Sequence, residues 1–368
     1  MIAVAALSAR TLAEWAAADG EPAVALDCFG DLDTCAAARE WHPVGAGLRF
    51  ERPWLLGALR ALAARGDVEG WVFGGGFESD LDLLADGAAL LPLIGNGLDT
   101  LRRVCDARAF FGALDRLGVA HPETRFDAPA GSGWLVKQAA SCGGLQVRRW
   151  PAAGRAAGAY WQREVDGEPL SATFVADGRD AVLLGFNRQL VRALGDRPFA
   201  FAGVVGPVPV GDGVQRQAAE ALGRLVPEFG LRGLGSLDFV VAGDTAWLLE
   251  VNARVPASAA LYPRIEAAGP LQAHHRACLG RGLPRPPVNS AVHGIETLFA
   301  RRALRLDIAA AAHLAARPFA HDLPRAGQQF DAGDPLCSVS ADGEDAAAVR
   351  QQLALRRETL LAALETTR

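Results

Sequence analysis

Two short stretches near the middle of the chain, residues 235–241 and 245–251, restrict the possible fold more than any other part. Phe239-Val240-Val241 and Trp247-Leu248-Leu249 are apolar enough for buried strands, and Gly243-Asp244 between them is a turn pair, so the sequence predicts an antiparallel hairpin. Charged groups crowd this hairpin all the same, with Asp238 on one strand and Glu250-Val251-Asn252-Ala253-Arg254 at the end of the other. Alternate side chains of a strand share a face, so Glu250, Asn252 and Arg254 point one way, and Asp238 can meet them from the neighbouring strand. Carboxylates at the end of buried strands are unfavourable unless they are paired or bound to metal. Two carboxylates and an amide oxygen form a hard, all-oxygen donor set suited to Mg²⁺, which keeps waters and substrate phosphates as its remaining ligands. The alternative is an exposed acidic ribbon, and the apolar neighbours argue against it.

Only one of the 37 basic residues is a lysine, Lys137, which marks a position where a compact ammonium can do what a planar guanidinium cannot. It ends the apolar run Trp134-Leu135-Val136 and opens into the small-residue loop Ser141-Cys142-Gly143-Gly144, whose backbone N–H groups can approach phosphates closely. The order is the reverse of a Walker A loop, where the glycines precede the lysine, so phosphates would be covered rather than cradled at a helix start. Farther on, Gln162-Arg163-Glu164-Val165 reads as extended chain before the turn Asp166-Gly167 and the carboxylate Glu168. Extended backbone offers an N–H and a C=O to a purine edge, and a carboxylate just past the turn can accept from two ribose hydroxyls. A surface hairpin explains this last segment equally well.

A chain of 368 residues implies two or three subdomains, each with its own apolar layer. The first hundred residues alternate strand-like runs (2–7, 23–27, 70–73, 91–94) with a helix at 10–18, as a βαβ series does. Gly74-Gly75-Gly76 lacks dinucleotide spacing and reads as a tight turn. Helical spacing covers 101–117 and 215–229, the prolines of 281–287 form a linker, and a smaller unit closes with a helix over 345–364. A net charge of −5 with no Lys/Arg run argues against nucleic acid, and no apolar stretch reaches membrane length, so a cytoplasmic protein is expected. The six cysteines contain no Cys-x-x-Cys pair and read as reduced, mostly buried thiols. His274-His275, Arg301-Arg302 and Arg356-Arg357 read as solvated pairs on helix faces.

The order of these segments (lysine, glycine-rich loop, extended strand, Gly-Glu turn, acid, and a final Glu-x-Asn-x-Arg run) resembles the ATP-grasp superfamily, particularly its biotin-carboxylase-like ligases. The likeness spans about 101–262, and more loosely the whole chain. It implies an α/β architecture: an N-terminal Rossmann-like pre-ATP-grasp domain at 1–100, an ATP-grasp domain at 101–280 and a small C-terminal α+β domain at 281–368. By the same resemblance, ATP and two Mg²⁺ ions, with Mn²⁺ as a substitute, are the cofactors. Lys137 and the loop Ser141, Cys142, Gly143 and Gly144 would hold the phosphates; Gln162, Arg163, Glu164 and Val165 would border the adenine, with Glu168 at the ribose. Asp238, Glu250 and Asn252 would bind the metal, Arg254 would steady the transferred phosphoryl group, and Arg188, in a segment resembling the family's connector Asn187-Arg188-Gln189-Leu190, joins Arg254 and Lys137 as a catalytic candidate. Many relatives have a lysine where this chain has Ala107, so the first phosphate-binding cation is either missing or supplied by Arg108.

The implied activity is an ADP-forming carboxylate-amine ligase, with small-molecule carboxylate and amine substrates and a homodimer as an open option. Asp27-Cys28-Phe29-Gly30-Asp31 resembles ATP-grasp proteins associated with one-carbon carriers such as tetrahydromethanopterin and methanofuran, so addition of an amino acid to such a cofactor precursor is the narrower expectation. Ser8-Ala9-Arg10, Phe77-Glu78-Ser79 and Arg188 are the candidate substrate contacts. The rivals are a bicarbonate-activating enzyme, suggested by the stretch from His321 to Gly327, and an ATP-binding regulatory protein that has lost catalysis, suggested by Ala107.

Overall fold

The computed structural model describes residues 1–138, 143–151, 158–265, 269–285 and 291–366. Ser141 and Cys142 of the expected phosphate loop, and part of the proline linker, lie outside the described residues.

The β-branched and small residues of the first strands pack into a four-stranded parallel sheet, ordered Glu40–Pro43, Val24–Asp27, Ile2–Ala5, Gly70–Phe73. The helix Arg10–Ala18 buries Leu12, Ala13, Trp15 and Ala16, which recur at helical spacing. No strand forms at 91–94. Pro92 has no N–H to continue a ladder, and only the bridge Trp71 to Leu93 remains, flanked by the Trp71 N–H to the Pro92 carbonyl at 2.9 Å.

The helix expected over 101–117 is two helices, Leu98–Cys105 and Ala107–Leu117. Asp106 separates them with an extended backbone, and its carboxylate accepts the Ala109 N–H at 2.8 Å as an N-cap, a local bond that competes with continuation of the first helix.

Two antiparallel sheets follow. A small one, ordered Thr124–Arg125, Ala159–Arg163, Trp134–Gln138, Arg148–Trp150, packs one face on Trp134, Val136 and Trp161. The large one has eight strands, ordered Thr245–Asn252, Arg232–Ala242, Glu168–Asp177, Ala181–Leu194, Arg197–Gly206, Val292–Phe299, Pro335–Gly343, Ala320–His321. Its strands alternate between two faces. Against one of them the helix Asp212–Phe229 buries Leu222, Leu225, Val226 and Phe229, in one core with Leu237 and Phe239. Strands from beyond residue 291 thus extend the same sheet that carries the hairpin.

Buried polar side chains tie the layers together. Asn187 is fully buried; its amide donates to Thr173 Oγ1 at 2.9 Å and accepts from the Tyr262 hydroxyl at 2.7 Å, joining the large sheet to the turn of helix Ala257–Leu261. His274 is not solvated. It is buried, accepts the Leu234 N–H at Nδ1 (2.9 Å), and lies 3.1 Å from the Ile94 carbonyl at Nε2, and burial pushes its pKa down to about 4. Gly233, at φ 74°, is needed beside it, because a Cβ there would meet the imidazole ring. Arg357 is likewise no solvated residue, since it donates to the buried Glu296 at 2.7 Å, and Arg356 lies over the Phe319 ring at 4.5 Å. The described cysteines are free, but only Cys337 is buried and the others are half-buried. No helix among the described residues is long and apolar enough to cross a membrane.

Replacing Asn187 by Leu would leave the buried Tyr262 hydroxyl without the acceptor that Asn187 supplies, while Thr173 Oγ1 keeps Ser258 Oγ at 2.7 Å, and should lower the unfolding free energy in urea by about 1–3 kcal/mol. Tyr262→Phe in the same background should recover part of that loss, because it removes the orphaned group.

Candidate active site

The hairpin forms as the apolar strands require, and its register sets the site. Asp238 is directly opposite Glu250 and Ser236 opposite Asn252, with a bulge after Asp238 that brings Leu248 opposite Phe239 and leaves Leu249 as the extra residue. Ser236 Oγ donates to Asp238 Oδ1 at 2.9 Å, Gln189 Nε2 donates to Asp238 Oδ2 at 2.8 Å, and Asn252 Nδ2 donates to Ser236 Oγ at 3.1 Å. These bonds fix the carboxylate and turn the Asn252 amide so that its oxygen is the end left over for another partner.

Glu250 opens to the cleft, yet protein surrounds it closely enough that loss of bulk water, followed by the Asp238 carboxylate, pushes its pKa up to about 7. Lys137 and Arg254 pull it down and do not offset those effects. Burial raises Asp238 too, against the hydrogen bonds from Ser236 and Gln189. Two acids opposed in one crevice, both driven toward their neutral forms, is a charge distribution that a divalent cation reverses. Asp238, Glu250 and Asn252 therefore fit Mg²⁺ in donor type and in charge.

Lys137 projects from the small sheet. It shares a face with Leu135, Tyr160 and Gln162, since Lys137 pairs with Tyr160 and Leu135 with Gln162 across the strands. Its Nζ donates to Gln162 Oε1 at 2.7 Å, and Gln162, only 1% exposed, donates in turn to Thr124 Oγ1 at 3.2 Å. Burial lowers the Lys137 pKa against the opposing Glu250 carboxylate, and both side chains line one cleft. Beyond Lys137, the Gly143 carbonyl accepts the Phe201 N–H at 2.9 Å. Gly144, at φ 68°, lies so near the Phe199 carbonyl that any Cβ would collide with it, so this glycine is required where the loop meets the large sheet.

Between the two sheets lies a cleft of about 750 Å³, lined among others by Lys137, Gln162, Asp238, Glu250, Asn252 and Arg254. Gly143, Gly144, Arg163, Glu164 and Val165 also border it. Arg163 stacks on Trp134 at 4.0 Å, and the Glu164 N–H bonds the Gly133 carbonyl at 3.0 Å while its carboxylate pairs with Arg149 at 2.8 Å. Arg254 Nε donates to Glu78 Oε1 at 2.7 Å, which links the hairpin to the N-terminal sheet. Burial alone would raise Glu78, and the Arg254 ion pair outweighs it and holds the carboxyl below its usual range.

Several expected residues are not at this cleft. Pro169 and Ser171 line it, so strand alternation turns Glu168 to the opposite face; Gln189 and Val191 line it, so Arg188 is turned away as well. Glu168 and Arg188 pair with each other there. Asp166, one turn earlier, is the carboxylate that borders the cleft where the ribose was expected. Arg108 stacks on Phe126 at 4.2 Å on the exposed side of its helix, while Ala107 lines the cleft, so Arg108 does not replace the missing lysine. Ser8 and Arg10 are bound instead to Asp322, at 3.0 and 2.9 Å, and are not cleft residues. The sequence reading does not single out Gln189, Ser236 or Asp166; Ser236 is readable as the same-face neighbour of Asp238, but Gln189 carries no such signal, because only the sheet pairing brings it to Asp238.

Residues 104–258 match the ATP-grasp domain family. No curated protein sequence matches the chain. Among solved structures, it resembles an L-amino acid ligase from Bacillus licheniformis, with a TM-score of 0.71 and 14% identity over 98% of this chain and 96% of that one. It also resembles biotin carboxylase from Campylobacter jejuni, with a TM-score of 0.70 and 13% identity over 99% and 95%. A third is N5-carboxyaminoimidazole ribonucleotide synthetase from Thermus thermophilus, with a TM-score of 0.66 and 18% identity over 99% and 98%. At these identities the likeness is one of fold.

The raised Glu250 pKa has a sign. A carboxyl that holds its proton more tightly when folded loses stabilisation as it ionises, so the metal-free protein should become less stable as pH rises from about 4.5 through about 7. Thermal melts in EDTA should show that fall, Glu250→Gln should flatten it, and Mg²⁺ should restore stability on the alkaline side.

Proposed function

We propose that this ATP-grasp protein is an ADP-forming ligase that activates a carboxylate as its acyl phosphate and joins it to an amine. The observation that carries the reading is the opposition of Asp238, Glu250 and Asn252 to Lys137 across one cleft between two antiparallel sheets. ATP and Mg²⁺ are the cofactors of ATP-grasp ligases. When bound, Mg²⁺ neutralises charge on the β- and γ-phosphate oxygens, and Mn²⁺ can stand in for it.

A substrate carboxylate oxygen attacks the γ-phosphorus, the bond to the bridging oxygen breaks, and its electron pair leaves with ADP. The amine nitrogen then adds to the acyl carbon, the carbon–oxygen bond to phosphate breaks, and the nitrogen gives up a proton to the departing phosphate. Catalysis of this kind is mostly placement of fixed charge. Lys137, held by Gln162, meets the charge on the transferred phosphoryl group, and Arg254, held by Glu78, steadies the acyl phosphate. Gly143 and Gly144, which border the cleft, would help keep water from the acyl phosphate. Addition of an amino acid to a one-carbon carrier precursor falls within this class of reaction.

Purified protein with Mg²⁺, ATP and candidate substrates should release ADP and phosphate only when a carboxylate is present; AMP and pyrophosphate as products would overturn the reading. Lys137→Met should lower kcat/KM by about 10²–10³, the range for losing one preorganised electrostatic group. Glu250→Gln and Asn252→Ala should abolish turnover with the far-UV circular dichroism unchanged.

A further inference from the structure

The cleft does not end at the metal hairpin. It continues toward the N-terminal sheet, where Phe73, Leu81, Leu101 and Val104 line it. Phe73 ends the strand Gly70–Phe73, Leu81 opens the helix Leu81–Leu90, and Leu101 and Val104 lie on one face of the helix Leu98–Cys105. The wall adjoins the reacting end of the site, because Cys105, next to Val104, lines the same cleft as Glu78, Glu250 and Arg254.

Polar content on this wall is small. Glu78 spends its carboxylate on Arg254 and on the Gly76 N–H at 2.8 Å. Burial pushes the Cys105 thiol up to about 12, so it stays neutral and packs as a small apolar group. Where the wall turns toward the phosphates, the lining residue is Ala107, and Arg108 stacks outward on Phe126. A sugar phosphate lodged here would bury its charge against hydrocarbon, and bicarbonate would leave the compartment unfilled.

We infer that the carboxylate activated at this site belongs to an acid with a bulky apolar body, branched or aromatic, which lies against Phe73, Leu81, Leu101 and Val104 with its carboxylate at the Glu250 and Arg254 end. The inference rests on the ligase reading. Apolar pockets discriminate by size at roughly tenfold or more per methylene, so such an acid is separated from short ones by binding alone.

Hydroxylamine, which captures an acyl phosphate as its hydroxamate, makes the test independent of the natural amine. The full-length chain with Mg²⁺-ATP and hydroxylamine is assayed for ADP and hydroxamate with acetate, bicarbonate, 4-methylpentanoate and 3-phenylpropanoate. The kcat/KM with the two bulky acids should exceed that with acetate at least tenfold. Val104→Phe and Leu81→Trp, which fill the compartment, should each cut the ratio of 3-phenylpropanoate to acetate at least tenfold while Mg²⁺-ADP binding by calorimetry persists. Equal or better turnover with acetate or bicarbonate, or a ratio that neither substitution moves, overturns the apolar compartment and leaves the ligase reading standing. ADP release with none of the acids overturns the ligase reading, and this inference with it.

Discussion

The repulsion between Asp238 and Glu250 is the constraint on which the rest of the site depends. Two carboxylates opposed across a strand pair, with bulk water held off, would separate if they could. They cannot, because the ladder continues on both sides of them, and because Ser236 and Gln189 bind Asp238 from two directions. That enforced approach would favour a divalent cation between the two acids. The fold supplies the approach from apolar strands and the core under Leu237 and Phe239.

Each functional group of the cleft has a neighbour that holds it, and the neighbours come from different layers. Gln162 fixes Lys137 within the small sheet, Gln189 fixes Asp238 within the large one, and Glu78 fixes Arg254 from the N-terminal sheet. A phosphoryl group held by Lys137, Asp238, Glu250 and Arg254 would thus touch the small and the large sheet directly and the N-terminal layer through Glu78. The small and large sheets also meet where the Gly143 carbonyl accepts the Phe201 N–H at 2.9 Å.

What could be read without the fold was chemistry confined to one strand or one turn. Asp238, Glu250, Asn252 and Lys137 stood out because acids and a lone ammonium are expensive beside buried apolar strands, and the hairpin followed from two apolar runs about a glycine turn. Glu168 and Arg188 were misplaced for the complementary reason. Each looks functional by type, but which face a residue takes depends on the phase of the whole strand, which Pro169, Ser171, Gln189 and Val191 settle by lining the cleft. Arg108 failed in the same way on a helix, as its aromatic partner Phe126 lies eighteen positions later. The helix break at Asp106 turned on one capping bond, which apolar periodicity does not register.

The sequence by itself determined the acidic hairpin, the solitary lysine and the order of the segments that carry them, because these depend on local polarity, strand alternation and turn chemistry. Only the tertiary structure decided which side chains converge on the cleft. Gln189 reaches Asp238 from 49 positions away and Glu78 reaches Arg254 from 176, and such contacts are selected by sheet order and layer packing. That information resides in the joint burial of many apolar residues, so no single segment holds it.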